Sequence, residues 1–219
     1  MTRARLCNSR DAAHARRLPD KGGDPCRLSG STALLTRRLL PLLLASRMVP
    51  ARAQAPEDLL RLLRSPGSVG LLRHARAPGT GDPPGFRLGD CATQRNLDAA
   101  GREQARGIGA RLSEAGVRAR VFCSAWCRTR ETAELLGLGP VEILPALNSF
   151  FGNGSEEAEQ TAAVRRFLRS HGPEPAILVT HQVNVTALTG IYPGDGEMVV
   201  MRPGTDGHVV AGRLTLARA

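Results

Sequence analysis

Two histidines of the 219-residue chain follow apolar, strand-like segments. His74 comes after the run SVGLL and directly after Arg73, and His181 comes after the run AILVT. Imidazole is the side chain best suited to act as a nucleophile or a proton carrier at neutral pH, and a neighbouring guanidinium favours an anionic substrate. The two histidines therefore predict an anion site at one edge of a sheet.

A third segment ends in the same way. The predicted strand 120–123 leads into a helix that begins near residue 127, and Arg128 lies in its first turn. Ligands of α/β sheets bind beyond the carboxyl ends of the strands, where helix N-termini also favour anions. Two arginines, two imidazoles and a helix end together predict a pocket for a phosphate group.

Apolar runs alternate with helical periods after Pro56. The predicted strands cover residues 68–72, 120–123, 141–144, 176–180, 197–201 and 209–216. The predicted helices cover residues 98–116, 127–136, 156–170 and 183–189, with Asp98 as the N-cap of the first. The continuous apolar run 176–180 is typical of a strand inside a parallel sheet. The alternation predicts an α/β sandwich with a mostly parallel central sheet.

Positive charge is concentrated at the N-terminus. The chain has a formal net charge of +10, and its first 55 residues hold 11 Lys and Arg against three Asp. The remainder is close to neutral, so the charge does not predict a nucleic-acid-binding domain. We expect residues 1–55 to form a basic N-terminal segment and residues 56–219 a folded domain.

Residues 36–55 resemble an export signal. They combine a positive start, a short apolar stretch from Leu39 to Ala45 and the small-residue ending Ala51-Arg52-Ala53. The sequence TRRLL at its start is similar to the twin-arginine pattern, and translation from a start after Met1 would explain the long preceding stretch. We expect a periplasmic or otherwise exported protein without a stable membrane span; a basic disordered tail is the alternative.

Three cysteines follow the N-terminal segment: Cys91, Cys123 and Cys127. An oxidising compartment would permit one disulfide among them and leave one thiol over. Because no second Cys/His pair with ligand spacing accompanies Cys123 and Cys127, buried or disulfide-linked cysteines are favoured over a metal site.

Four segments, in order, resemble the motifs of the histidine phosphatase superfamily, which contains the cofactor-dependent phosphoglycerate mutases and many phosphomonoesterases. They are Arg73-His74-Ala75, the helix start LDAAGREQA at 97–105, the segment from Ser124 to Arg128 with Thr132-Ala133, and His181-Gln182-Val183-Asn184. The resemblance implies a three-layer α/β/α sandwich of the phosphoglycerate mutase type.

The resemblance also implies roles for these residues. His74 would be the nucleophile that forms a phosphohistidine, while Arg73, Arg128 and His181 would bind the phosphoryl oxygens, His181 most strongly when protonated. Gln182 and Asn184 are further expected substrate contacts. Neither a metal nor a cofactor is expected, because the cations would supply the charge stabilisation.

The sequence departs from the family pattern at its proton donor. Gln182 replaces the aspartate of one branch, and Asn148 and Ser149 replace the glutamate of another. An amide cannot protonate a leaving alkoxide. The candidate acids are therefore Asp82, Asp90 and Glu197. Asp82 is favoured, because its loop is rich in glycine and proline and can fold over the pocket.

The remaining predictions concern less specific positions. Ala75 stands where the family has glycine, which bears only on close backbone approach there. Arg95 is expected to be solvated, as are the arginines Arg76, Arg87, Arg102 and Arg106. For Arg76 and Arg87, the alternative is a place in the wall of a pocket for an acidic substrate. Trp126, Phe150 and Phe151 are expected to pack rather than to form an aromatic wall for the substrate.

Taken together, these features predict an exported phosphatase that hydrolyses a small phosphomonoester, or a phosphohistidine, through His74. One alternative is a phosphatase of a cell-envelope sugar phosphate, such as lipopolysaccharide core heptose phosphate. The other is a non-catalytic protein that binds a phosphate ligand on the same fold, which the absence of an obvious acid favours.

Overall fold

The structure, a computed structural model, describes residues 55–216. The predicted export signal and basic segment lie outside the described residues, so their organisation remains a prediction. The five helices of the described range are α1 (Pro56–Leu62), α2 (Ala99–Glu114), α3 (Cys127–Leu135), α4 (Glu157–Ser170) and α5 (Gln182–Thr189). None of them is long and apolar enough to cross a membrane.

Six strands form one central sheet in the order β3-β2-β4-β1-β5-β6. They are β1 (Val69–Arg73), β2 (Arg120–Cys123), β3 (Val141–Ile143), β4 (Ala176–Thr180), β5 (Glu197–Gly204) and β6 (Gly207–Thr215). The first four strands run parallel, whereas β5 pairs antiparallel with both β1 and β6. The predicted mostly parallel sheet is confirmed.

Helices cover both faces of this sheet and give the predicted three-layer α/β/α sandwich. One core cluster packs α1, α2 and α3 against the sheet, with Leu63, Ile108 and Leu112 fully buried. The other packs α4 and α5 against the opposite face through residues such as Val164 and Val185. Strand residues alternate between the two clusters, because successive side chains of a strand point to opposite faces.

The central strands β2, β4 and β1 lie next to one another and end at the same edge. Hydrogen bonding to β4 continues one residue past the ends of β1 and β2. The His74 amide donates to the Thr180 carbonyl at 2.9 Å, and the Ser124 amide donates to the Val179 carbonyl at 3.2 Å. The residues that follow these three strands are thereby held side by side.

Candidate active site

The edge of the sheet brings together the two histidines predicted from the sequence. The His74 and His181 rings lie edge to face with their centroids 5.6 Å apart, and both side chains are buried. They line a cavity of about 550 Å³ together with Arg73, Arg128 and Asp82. His74 and His181 are more than one hundred residues apart in the sequence. They lie close together because each directly follows one of the paired strands β1 and β4.

Hydrogen bonding defines the tautomer of His74. Its Nδ1 lies 2.8 Å from the carbonyl oxygen of Ala75, so Nδ1 carries the proton and Nε2 keeps its lone pair. Burial lowers the pKa of His74 to about 3; the Ala75 carbonyl opposes this, and the charges of Arg128, Arg95 and Arg73 add to it. The imidazole is therefore neutral at physiological pH, which is the form a nucleophile requires.

His181 is also neutral, for similar reasons. Its Nδ1 faces the Arg128 guanidinium at 3.4 Å, and its Nε2 lies 2.8 Å from the Ser124 hydroxyl. Complete burial lowers the pKa of His181 well below its usual value, and the Arg128 charge lowers it further. His181 is therefore not in the protonated form in which it was expected to bind a phosphoryl group most strongly.

Three guanidiniums surround the histidines. Arg73 donates to the Pro193 carbonyl at 2.9 Å and pairs with Asp195 at 2.7 Å, while Arg128 pairs with Asp82 at 2.8 Å. The Nε–H groups of Arg73 and Arg128 are buried and have no hydrogen-bond partner among the described residues. Unpartnered cationic donors in a cavity are suited to bind an anion.

Arg95 is the third guanidinium, and the prediction that it is a solvated surface residue was wrong. It is half-buried, lines the cavity and donates from Nε to the Gly81 carbonyl at 2.7 Å and from Nη1 to the Ala77 carbonyl. Its position depends on the course of the irregular loop from residue 75 to 98, for which the sequence carries no periodic signal.

Two helices begin at the cavity without a side-chain cap. Trp126 precedes α3 and His181 precedes α5, and neither side chain bonds to the first amide groups of its helix. His181, Gln182 and Val183 line the cavity at the start of α5. In α3 the Cys127 amide donates instead to the Gln94 side chain at 3.0 Å. The remaining first-turn N–H groups and the helix dipoles add partial positive charge at the cavity.

Asp82 does not have the surroundings of a proton donor. Its Oδ1 accepts from the Arg128 guanidinium at 2.8 Å and from the Arg95 amide at 3.1 Å, and its Oδ2 accepts from the Trp126 indole at 3.0 Å. Burial alone would raise the pKa of Asp82, but these donors and the Arg128 charge outweigh burial and lower it. The predicted role as the leaving-group acid is corrected accordingly: Asp82 is an ionised partner of Arg128.

The other two candidate acids lie away from the cavity wall. Asp90 caps a short 3₁₀ helix at Cys91–Thr93 through the Ala92 amide and pairs with Arg87. Glu197 accepts from Arg213 and from the Gly194 amide, and the Arg213 hydrogen bond lowers its pKa. Among the described residues, neither carboxyl lines the cavity.

The two expected substrate contacts that follow His181 have different positions. Gln182 lines the cavity and donates to the Thr186 hydroxyl at 2.8 Å. Asn184 is buried and does not line the cavity; it donates to the Asn148 carbonyl at 3.0 Å, so its predicted substrate contact was wrong. The Asn148 side chain in turn accepts from the Ala125 amide, which supports the loop that precedes α3.

A disulfide joins Cys91 to Cys127, as the cysteine count permitted, and Cys123 is the buried thiol left over. The bond fixes the short 3₁₀ helix before Arg95 to the start of α3, where Arg128 lies. It thus links the loop that carries Arg95 to the helix that carries Arg128. No group of three or more metal-ligating side chains is placed to hold an ion within residues 55–216.

Comparisons with known proteins agree with this geometry. The sequence model of the histidine phosphatase superfamily (branch 1) matches residues 69–160, which include His74 and Arg128. This part of the chain, from β1 into α4, is therefore similar to the histidine phosphatase superfamily. No curated protein matches the chain.

Solved structures show the same fold. The open reading frame Rv3214 from Mycobacterium tuberculosis superposes with a TM-score of 0.54 and 17% identity, over 68% of this chain and 97% of that one. A phosphoserine phosphatase variant from Entamoeba histolytica, in complex with phosphoserine, gives 0.52 and 10% identity over 68% and 97%. Mycobacterial hydrolase 1 gives 0.51 and 13% identity over 69% and 99%.

Proposed function

We propose that this protein is a phosphatase that hydrolyses a phosphate monoester in two displacements through His74. The observation that carries the proposal is a neutral, buried imidazole whose Nε2 is free, in a cavity lined by three guanidiniums. A phosphatase structure shares the fold, and the similarity of residues 69–160 to the histidine phosphatase superfamily supports the reaction class.

In the first displacement, Nε2 of His74 forms a bond to phosphorus while the bond to the leaving oxygen breaks. Arg73, Arg95 and Arg128 bind the phosphoryl oxygens, and their charge stabilises the transition state without a metal ion. The Ala75 carbonyl accepts a hydrogen bond from Nδ1–H of His74 and so stabilises the positive charge that develops on the ring.

In the second displacement, water attacks the phosphohistidine. The phosphorus–nitrogen bond breaks, its electron pair returns to Nε2 of His74, and phosphate leaves carrying both protons of the water. The hydrogen bond from His181 to Ser124 and its contact with Arg128 hold the His181 ring in the cavity wall beside His74.

Replacement of His74 by alanine tests this proposal. We expect His74→Ala to abolish hydrolysis of para-nitrophenyl phosphate and to prevent acid-labile labelling of the protein by a radiolabelled ester. His171→Ala is the matched control, because His171 lies outside the cavity and stacks on Phe167. Unchanged turnover by His74→Ala, with His171→Ala also active, would contradict the proposal.

A non-catalytic phosphate binder is the second candidate. One observation favours it: the Asp82 carboxylate accepts hydrogen bonds from three donors and so is not placed to act as a catalytic acid. Phosphate binding by calorimetry, with no ester hydrolysed and no phosphohistidine formed, would support this candidate over the phosphatase.

We also propose that the protein is exported. The Cys91–Cys127 disulfide supports this, because such bonds persist in oxidising compartments and are rare in the cytosol. Detection of the protein in the periplasmic fraction would test the localisation.

A further inference from the structure

The cavity wall is poor in acids. Asp82 is the only carboxyl side chain that lines the cavity within the described part of the chain. Its side chain is 8% exposed, and both of its oxygens accept hydrogen bonds from nitrogen donors. A carboxyl group held in this way has no proton to give to a leaving group.

The other polar groups of the wall do not replace it. Thr80 and Ser149 are alcohols and hold their protons as tightly as an alkyl leaving group does, and the Ser149 oxygen accepts from the Phe151 amide. Gln182 carries an amide, which is not an acid at neutral pH. Asn153 also carries an amide. Among the described residues, the Tyr192 hydroxyl is the one further O–H group of the wall, and its side chain is 66% exposed.

The mouth of the cavity is aromatic instead. Phe86, Phe151 and Tyr192 line it and are exposed, and Trp126 packs on Phe86 with ring centroids 5.9 Å apart. Exposed apolar side chains grouped around a cavity mark a binding surface, and flat rings favour a flat partner. Phe151 was predicted to pack rather than to line a binding surface, whereas in the structure it is exposed and lines the cavity.

We propose that the preferred substrates are phosphate monoesters of aromatic hydroxyl groups, whose ring lies against Phe86, Phe151 and Tyr192. This inference rests on the proposed phosphatase function. When His74 Nε2 bonds to phosphorus, the phosphorus–oxygen bond breaks and its electron pair leaves on the phenolate. No proton comes from the protein, and the phenolate takes one from solvent after release.

Three esters test separately the preference for an aromatic ring and the need for a weakly basic leaving oxygen. Phenyl phosphate has a ring and a weakly basic leaving oxygen, benzyl phosphate has a ring and an alkoxide leaving group, and glycerol phosphate has neither. General acid catalysis contributes about 10²- to 10⁴-fold. Because the wall lacks it, we expect kcat/KM for phenyl phosphate to exceed that for benzyl phosphate by at least about 10²-fold. Benzyl phosphate should still exceed glycerol phosphate, since its ring can bind at the mouth.

Two variants test whether Asp82 or Tyr192 donates a proton to the leaving group. Asp82→Asn should lower the rates with phenyl and benzyl phosphate by the same factor, because Asp82 positions Arg128 rather than donating a proton. Tyr192→Phe should leave the ratio of the two rates unchanged and keeps the aromatic face. A loss confined to benzyl phosphate in either variant would overturn the proposal, as would equal rates with both esters in the unmodified protein.

Failure of the underlying function has a different signature. If no ester, phenyl phosphate included, is hydrolysed or labels His74, then the proposed phosphatase is wrong. If phenyl, benzyl and glycerol phosphates are all hydrolysed at similar rates and label His74, the phosphatase stands and the aromatic preference is wrong.

Discussion

Electrostatic balance at single residues decides what the cavity can bind. Three guanidiniums of like charge share the cavity with two neutral imidazoles. Asp82 and Asp195 each hold one of these arginines, which offsets the repulsion while no anion is bound. Arg95 has only carbonyl partners, so it is the guanidinium most available to a phosphoryl group.

Loss of Arg95 should therefore lower kcat/KM, although Arg95 lies in an irregular loop. A hydrogen bond to a charged group contributes about 1.5 to 3 kcal/mol, so we expect Arg95→Gln to lower kcat/KM for phenyl phosphate by about 10- to 150-fold. Steady-state kinetics measures this effect, and a thermal melt checks that the loop remains folded.

Arg87→Gln is the matched control, because Arg87 is exposed in the same loop, pairs with Asp90 and does not line the cavity. It should stay within about twofold of the unmodified protein, since exposed pairs contribute little. A twofold or smaller effect of Arg95→Gln would remove Arg95 from the binding set.

Sequence alone predicted the site residues that strands deliver, whereas it missed Arg95 and the ion pair of Asp82, which a loop delivers. His74, Arg128 and His181 follow apolar strands, so strand pairing fixes their common edge. Arg95 and Asp82 belong to a loop whose path is set by hydrogen bonds such as that from the Arg95 amide to Asp82, and residue types do not encode such a path. The Asp82 carboxyl was correctly expected at the cavity, but its partner could not be predicted.

Among the elements, α2 makes the closest backbone approaches. A Cβ at Gly101 would lie 2.0 Å from the Arg76 carbonyl oxygen, and one at Gly109 would lie 2.0 Å from that of Leu136. These two glycines allow α2 to pack directly on the segment after His74 and on the end of α3. The glycine of the sequence motif LDAAGREQA therefore has a packing role next to the site.

Replacement of glycine by alanine should have opposite effects on stability at two positions of α2. Gly101→Ala should destabilise the protein by about 1 to 3 kcal/mol, because the backbone of Arg76 must move. Gly107→Ala should stabilise it by about 0.5 to 1 kcal/mol, since nothing lies within 4 Å of its Cβ position and alanine favours helix. Urea denaturation measures both, and equal effects would contradict the close approach.

The accuracy of the element predictions follows from burial. The strands predicted at 120–123 and 176–180 have these bounds in the structure. All five residues of the second strand and the last three of the first are buried, and buried parallel strands are continuous apolar runs. Helix α1 was not predicted, although Pro56 at its start and two acids in its first turn are helix-start signals. Its seven residues are too few for a helical period to stand out.

For the whole molecule, the buried histidines link stability to pH. The pKa of His74 lies at about 3 in the folded protein, and that of His181 is also lowered, whereas an unfolded histidine titrates near pH 6.5. Between these values the unfolded chain binds protons that the folded chain does not. Stability should therefore be complete above about pH 6.5 and fall as the pH decreases toward 3.

We expect the free energy of unfolding to fall by up to about 1.4 kcal/mol per pH unit for each buried histidine below pH 6. Urea titrations from pH 7 to pH 4 measure the slope, in buffers without phosphate, because a bound anion would stabilise the folded state. The variant His74→Gln should show a shallower slope than the unmodified protein. Parallel slopes would mean that His74 is protonated in the folded state.

The Cys91–Cys127 disulfide closes a covalent ring that contains Arg95, α2, β2 and the loop leading to α3. Two residues that line the cavity, Arg95 and Trp126, thus belong to a cycle within the chain. A single cut of the backbone inside that cycle would open it without releasing a fragment, since both new ends would stay attached through the sulfur atoms. His74 and Arg128 would therefore remain parts of one molecule after such a cut.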